Sequence, residues 1–400
     1  MNLGSIDIRH AGIKLALQSY SVSLTNHLKI IIKLIKIILI SFISEELNPL
    51  LLKINMSSSS NNESLIELLQ TISTTCNRYV AICIFIFGVV GNMLNIFVLS
   101  QRCFRSNSCA WSFLVSSIAN LISILFGLLT RIISGWAIDP TSYIGWICKI
   151  RAHVVFTTRT IALWLIVIAT IDRWLLSSID ANRRRKSTLK NAQRCTTVII
   201  ILSILLYIQQ LFCYEANLVN TSLKCNSRTA ACLYLSNLSF AVITILIPLF
   251  LMSVFGLLTV LNVRQSQRRL QSLALRNTTA IAIRSSATTG EHPHGNLKRK
   301  ADHSLLRMLL VQVLLMAILT LPLSIQNFYS FFSGENKSAI YEAVDYFSYN
   351  ITDLIYFVSN GIPFYIYTLC GGHVFRKALH DLFELLKQKI VRHQACLLQK

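Results

Sequence analysis

From Val154 to Ile171 the sequence runs through eighteen residues with a single charge, Arg159. As a helix this stretch would rise about 27 Å, close to the ~30 Å thickness of a bilayer's hydrocarbon core. Lipid offers no partner to a backbone N–H or C=O, so a helix, which satisfies its own, is the conformation open to it. Cys148 lies beyond one end and Asp172-Arg173-Trp174 follows the other, so a thiol and a charge pair mark the two ends. Six further runs share its character: about Tyr79 to Ser100, Trp111 to Ile133, Thr196 to Phe212, Leu233 to Leu261, Leu305 to Phe328 and Val344 to Leu369. With 53% hydrophobic residues, 14% charged residues and a mean hydropathy of +0.55, a soluble 400-residue protein is excluded. The expected fold is an all-α membrane protein, a bundle of seven transmembrane helices over residues 79–370, preceded by an N-terminal segment, 1–78, and followed by a tail, 371–400.

Loop charges orient the bundle. The segments after spans one, three, five and seven carry Arg102 and Arg105, then Arg183 to Lys186 with Lys190 and Arg194, then Arg264, Arg268, Arg269 and Lys298 to Lys300, then Arg376 and Lys377. The positive-inside rule makes those segments cytoplasmic and the N-terminus extracellular, as in a multi-pass plasma-membrane protein. The opposite loops hold Asp139, Glu215, Glu335 and Glu342, with glycosylation sequons at Asn220 and Asn336 and another at Asn62 in the N-terminal segment. The formal charge of +21 is spread in short runs between apolar spans without aromatic interleaving, so no nucleic-acid partner is expected. Basic cytoplasmic loops next to a membrane fit anionic lipid instead. The longest of them, 264–303, is polar and basic, and its middle is expected to be disordered.

The ends are less regular. Lys29, Lys33 and Lys36 fall on one helical face within an apolar run, as in a membrane-surface helix or signal anchor, whereas a start at Met56 would make residues 1–55 dispensable. Beyond the last span, Phe375, Leu379, Leu382, Phe383 and Leu386 share a face, which predicts a short amphipathic helix along the inner leaflet. Cys396 beyond it is a candidate for palmitoylation.

Polar groups inside apolar runs mark function. Asn92 and Asn95 in span one and Asn120 in span two must face a protein interior. Pro248, Pro322 and Pro363 interrupt spans five, six and seven and are expected to bend them. Arg131, Arg151, Arg159 and Asp353 lie in the outer halves and form a candidate ligand pocket. For Arg159 two readings stand equal, an internal ion pair with Asp353 and direct ligand contact. Mixed charge in an open cavity suits a peptide, so a neuropeptide-like extracellular ligand is expected. The eleven cysteines form no CxxC pair and no metal-ligand cluster, leaving a disulfide in the extracellular loops as their chemistry. No catalytic arrangement recurs at catalytic spacing, and no enzyme activity, cofactor or metal is expected.

Seven spans, Gly91-Asn92 in span one, a cysteine at the top of span three, Asp-Arg-Trp at its base and mid-span prolines in five and six resemble the rhodopsin-like G-protein-coupled receptors. The resemblance covers roughly Tyr79 to Leu386, and its most specific element is joint: Cys148 and Arg173 lie 25 residues apart, the family's interval between the disulfide cysteine and the switch arginine. It implies that Asp172-Arg173-Trp174 is the switch toward a heterotrimeric G protein. It also implies that Cys148 bridges to the second extracellular loop, where Cys213, Cys225 and Cys232 are available and Cys225 is preferred. Asn92, Asn120 and Tyr367 match the family's polar core, Tyr367 lying four residues past Pro363. Asn120 stands where most members carry an aspartate, so weak or absent sodium sensitivity is expected. Leu319-Thr320-Leu321-Pro322 lacks the tryptophan of span six, Ile362-Pro363 replaces Asn-Pro in span seven, and Gly256 lies where span five would carry a tyrosine. Val155 occupies the position of an amine-binding carboxylate, and span seven has no lysine for a retinal Schiff base, so neither amine nor light fits.

Two alternatives remain. The altered spans six and seven suit a receptor-like decoy or scaffold that has lost coupling. A seven-span transporter would need internal repeats or a line of ionisable groups through the membrane, and the inner halves of the spans supply almost none.

Overall fold

The computed structural model describes residues 61–136, 140–217, 225–281, 293–332, 338–370, 375–382 and 384. Eight helices dominate them: α1 Glu63–Leu99, α2 Ser108–Gly135, α3 Gly145–Ser177, α4 Leu189–Cys213, α5 Ala230–Ser266, α6 Pro293–Phe332, α7 Ala339–Gly361 and α8 Pro363–Cys370. A two-stranded antiparallel hairpin, β1 Tyr214–Glu215 and β2 Asn226–Ser227, joins α4 to α5.

Six of these helices, α1 to α6, contain stretches long and apolar enough to cross a membrane. Their outward faces are apolar: Phe87 on α1, Leu202 on α4, Phe250 on α5 and Ile325 on α6 are each at least half exposed. Their inward faces carry the polar groups, with Asn92, Asn95, Ser116, Asn120, Ser123 and Thr170 all buried. Apolar outside and polar inside is the arrangement that hydrocarbon, rather than water, stabilises. The chain is a multi-pass membrane protein. α7, 23 residues long, is not among these six. Its Asn350, Asp353, Ser359 and Asn360 are all buried against the bundle, so its polarity is turned inward.

Several element boundaries differ from the sequence expectation. Residues 61–78, expected in a polar N-terminal segment, are helical and continuous with α1 through a π-helical turn at Cys76–Val80. Tertiary contacts hold them there: Asn350 Nδ2 of α7 donates to Ser73 Oγ at 2.6 Å, and Arg78 Nε donates to the Gly135 carbonyl at the end of α2. The flanks of the 264–303 loop are helical too, because the helix of α5 runs on past Ser266 to Ile281 and α6 begins at Pro293. The loop's middle, residues 1–55, Asn220, Asn336 and Cys396 lie outside the described residues, and Asn62 is described only as part of the first helical turn.

The prolines are accommodated locally. A proline ring clashes with the carbonyl four residues back and removes one hydrogen bond. In α5 a π-helical stretch, Phe240–Leu246, ends just before Ile247-Pro248 and takes up that mismatch. Pro322 lies within α6, which continues helical on both sides. Pro363 opens α8 after Gly361 closes α7, and Ile362 between them still donates to the Val358 carbonyl at 3.0 Å. Gly361 is also where α7 meets α1. A Cβ there would lie 3.0 Å from Gly88 Cα, tighter than side chains normally pack, so a glycine at 361 suits this approach.

Candidate functional site

At the Cys148 end of the bundle, two disulfides fasten the connection between α4 and α5. Cys148 of α3 bonds Cys225, and Cys213 at the end of α4 bonds Cys232 at the start of α5. The hairpin between them packs over the bundle, with Cys148, Ala216 and Cys225 forming a small buried cluster under Tyr214. Below it opens a cavity of about 580 Å³, lined from α1, α2, α3, α5, α6, α7 and the hairpin. Tyr214 lines it as a neutral hydroxyl, because burial pushes its ionisation well above the ordinary tyrosine value. Cys225→Ser should release the hairpin: loss of a native disulfide typically costs 2–5 kcal/mol, so a thermal-unfolding assay on purified protein should show a clear drop in Tm.

The cavity's charged groups meet at Asp353. Arg159 Nη1 of α3 donates to Asp353 Oδ1 at 2.7 Å, and Arg131 Nη2 of α2 pairs with Asp353 Oδ2 at 2.8 Å. Arg131 Nη1 also donates to Asn350 Oδ1 at 2.6 Å, and Asn350 in turn donates to Ser73 of α1. Three helices thus converge on one carboxylate, and α1 is tied to them through Asn350. Arg131, Arg159 and Asp353 are 9%, 5% and 3% exposed, so both ion pairs are nearly withdrawn from water. The rings of Tyr356 and Phe357 lie 4.5 and 4.3 Å from the Arg159 guanidinium carbon, and Tyr349 lies 5.5 Å from that of Arg131. Arg151 lines the same cavity. Of the two readings of Arg159, the ion pair is therefore present, and the residue still borders the cavity.

At the other end of α3, Asp172 and Arg173 are 6% and 4% exposed. Arg173 Nη2 stands 3.7 Å from Asp172 Oδ2 and donates to Asn107 Oδ1 at 2.8 Å. Asn107 caps α2, accepting from the Cys109 and Ala110 amides, so the guanidinium is tied to a helix N-terminus. Asp172 Oδ1 accepts from Ser108 Oγ at 2.7 Å and from Ser187 Oγ in the α3–α4 connection. Trp174 packs against Phe255 of α5, ring centroids 5.2 Å apart, with Arg183 over its outer face at 5.6 Å. Asn107, Ser108 and Ser187 escape the sequence reading. The one local signal was Asn107-Ser108 just before an apolar run, the pattern of a helix cap.

Between the two ends the expected polar core of Asn92, Asn120 and Tyr367 does not form one network. Asn92 Nδ2 donates to the Gly88 and Asn360 carbonyls at 2.8 and 3.0 Å, and Asn360 Nδ2 donates to Ser123 Oγ at 3.2 Å. Asn120, 1% exposed, makes no side-chain hydrogen bond among the described residues. Tyr367 lies on a different contact: its hydroxyl donates to Gln312 Oε1 of α6 at 2.8 Å, and its ring packs on Phe113 and Phe375. Geometry explains the separation. Tyr367 is seven residues past Asn360, about 10 Å further along the bundle, where it meets Gln312 of α6 and Phe113 of α2 rather than Asn92 on α1.

No curated protein matches the sequence. The family model described as 7 transmembrane receptor (rhodopsin family) matches residues 91–367, which run from the second half of α1 through Tyr367 in α8. That span includes the Cys148 disulfide, the Asp353 ion pairs and the Asp172-Arg173 contacts. The chain belongs to the rhodopsin family of seven-transmembrane receptors.

Proposed function

We propose that the chain is a plasma-membrane receptor that takes an extracellular peptide in the 580 Å³ cavity and activates a heterotrimeric G protein at the Arg173 end. The observation that carries this reading is the placement of the two polar centres on α3. Arg159 borders the cavity and Arg173 lies 14 residues, about four turns, further along the same helix. In this reading α7 is the seventh span, and the disulfide end and N-terminus face outward, with the basic connections inside. The helix over 375–382 lies along the inner leaflet. It already touches the bundle through Phe375, buried against Phe104, Phe364 and Tyr367, and through the Ala378 carbonyl, which accepts from Gln101 Nε2 at 2.8 Å.

The mechanism is a population shift: agonist binds better to a conformation in which α6 moves outward and opens a cleft at the Arg173 end. In the described conformation two contacts oppose it. Asp172 and Asn107 hold Arg173 away from a docking partner, and the Tyr367–Gln312 hydrogen bond holds α6 to α8. A buried hydrogen bond contributes about 0.5–1.5 kcal/mol net. Gln312→Leu should therefore raise ligand-independent nucleotide exchange roughly two- to tenfold, measured with the purified variant and G protein; unchanged basal exchange would show that this bond does not restrain α6.

A peptide-library screen on cells expressing the full chain, read out by activation across the G-protein classes, tests the function. At least one peptide should activate in receptor-expressing cells alone. Activation by non-peptide ligands only would exclude the peptide assignment.

A further inference from the structure

We infer that the ligand presents a carboxylate to Arg159, received side-on by its Nε and Nη2 groups. The inference rests on the proposed reading of the cavity as the ligand site and names the chemistry that site takes. Arg159 is 5% exposed and lines the cavity. Its Nη1 is committed to Asp353, but Nε and Nη2 are buried and have no hydrogen-bond acceptor among the described residues. Those two nitrogens form one edge of the guanidinium, with N–H bonds parallel and spaced to meet the two oxygens of a carboxylate. Asp353 cannot serve that edge as well, because its Oδ1 takes Arg159 Nη1 and its Oδ2 takes Arg131. The rings of Tyr356 and Phe357 lie within 4.5 Å of the guanidinium carbon and hold it in place.

Charge points the same way. Two guanidiniums share one carboxylate in the buried trio, which leaves it one positive charge in excess. A cationic ligand group at Arg159 would meet repulsion. An amidated terminus would satisfy one donor with its carbonyl and turn an N–H against the other. A carboxylate satisfies both and supplies the missing negative charge. It can come from a free peptide C-terminus or from an Asp or Glu side chain.

The test uses the full chain purified in nanodiscs, with direct binding as the readout, so that coupling plays no part. Four probe sets are compared: peptides with free C-termini and no acidic side chain, C-terminal amides with one Asp or Glu, C-terminal amides with no acid, and small monocarboxylic acids such as benzoate and indole-3-acetate beside their primary amides. Binders should fall in the carboxylate-bearing sets, the first against the second identifying the source, and converting the acid to its amide should weaken binding about ten- to hundredfold. Arg159→Lys, which keeps charge but loses the fork, should weaken it about tenfold, and Arg159→Gln more. Both variants leave the Arg131–Asp353 pair to hold the bundle. Equal binding of acid and amide, undiminished binding by Arg159→Gln, or binding confined to acid-free amides would overturn the inference; the last would leave the peptide reading standing. Binding by small acids with no peptide would do the reverse.

Discussion

Asp353→Ala is expected to lower surface expression and Tm more than any other single change in the cavity. Among the described residues Asp353 is the one acid that reaches both Arg131 and Arg159, and all three are more than nine-tenths buried. Removing a partner from a buried ion pair typically costs about 3–5 kcal/mol, because the remaining charge is stranded. Here two charges are stranded at once, against a total stability of about 5–15 kcal/mol for a typical protein. The loss should be partly reversed by adding Arg159→Met, which removes one of the unpaired cations and keeps an unbranched side chain beside Tyr356 and Phe357. Cell-surface labelling together with thermal unfolding of the purified variants checks this. Wild-type expression and Tm in Asp353→Ala would mean that the arginines are solvated and that the trio does not hold α2, α3 and α7 together.

Arg173→Ala should abolish agonist-driven nucleotide exchange, at least tenfold below wild type, while agonist binding and surface expression stay near normal. The asymmetry follows from the neighbours. Asp172 would lose a cation at 3.7 Å but keep the Ser108 and Ser187 hydroxyls, so its charge is not stranded. Asn107 would lose one donor yet continue to cap α2 through the Cys109 and Ala110 amides. Structure is thus supported without Arg173, whereas the proposed docking contact is not. Exchange at wild-type rate in this variant would remove Arg173 from the mechanism.

The apolar runs make six of the helices legible from sequence, because hydrocarbon selects for the same property that a reader can see. The start of α1 is not legible. Ser64 to Thr75 mixes polar and apolar residues, and contacts to α7, such as Ser73 with Asn350, make it a helical part of the bundle. Arg131, Arg159 and Asp353 stand out one by one as charges in apolar surroundings. An Arg159–Asp353 pair is one of two readings that the sequence leaves open, and only the packing of α2, α3 and α7 selects it and brings Arg131 to the same carboxylate. The same holds for Ser187, an unremarked serine after four basic residues that folds back onto Asp172. Tyr367 stands out as a polar residue near the end of the last span, but its partner Gln312 on α6 does not, since only packing brings the two together.

One reconstitution tests the central claim most directly. The purified chain in lipid nanodiscs, a ligand shown to bind in the cavity and each class of heterotrimeric G protein are combined, and the rate of guanine-nucleotide exchange is measured with and without ligand. The account predicts that ligand accelerates exchange on at least one class. Saturating ligand with no acceleration on any class would contradict it and identify the chain as a member of its family that binds without coupling.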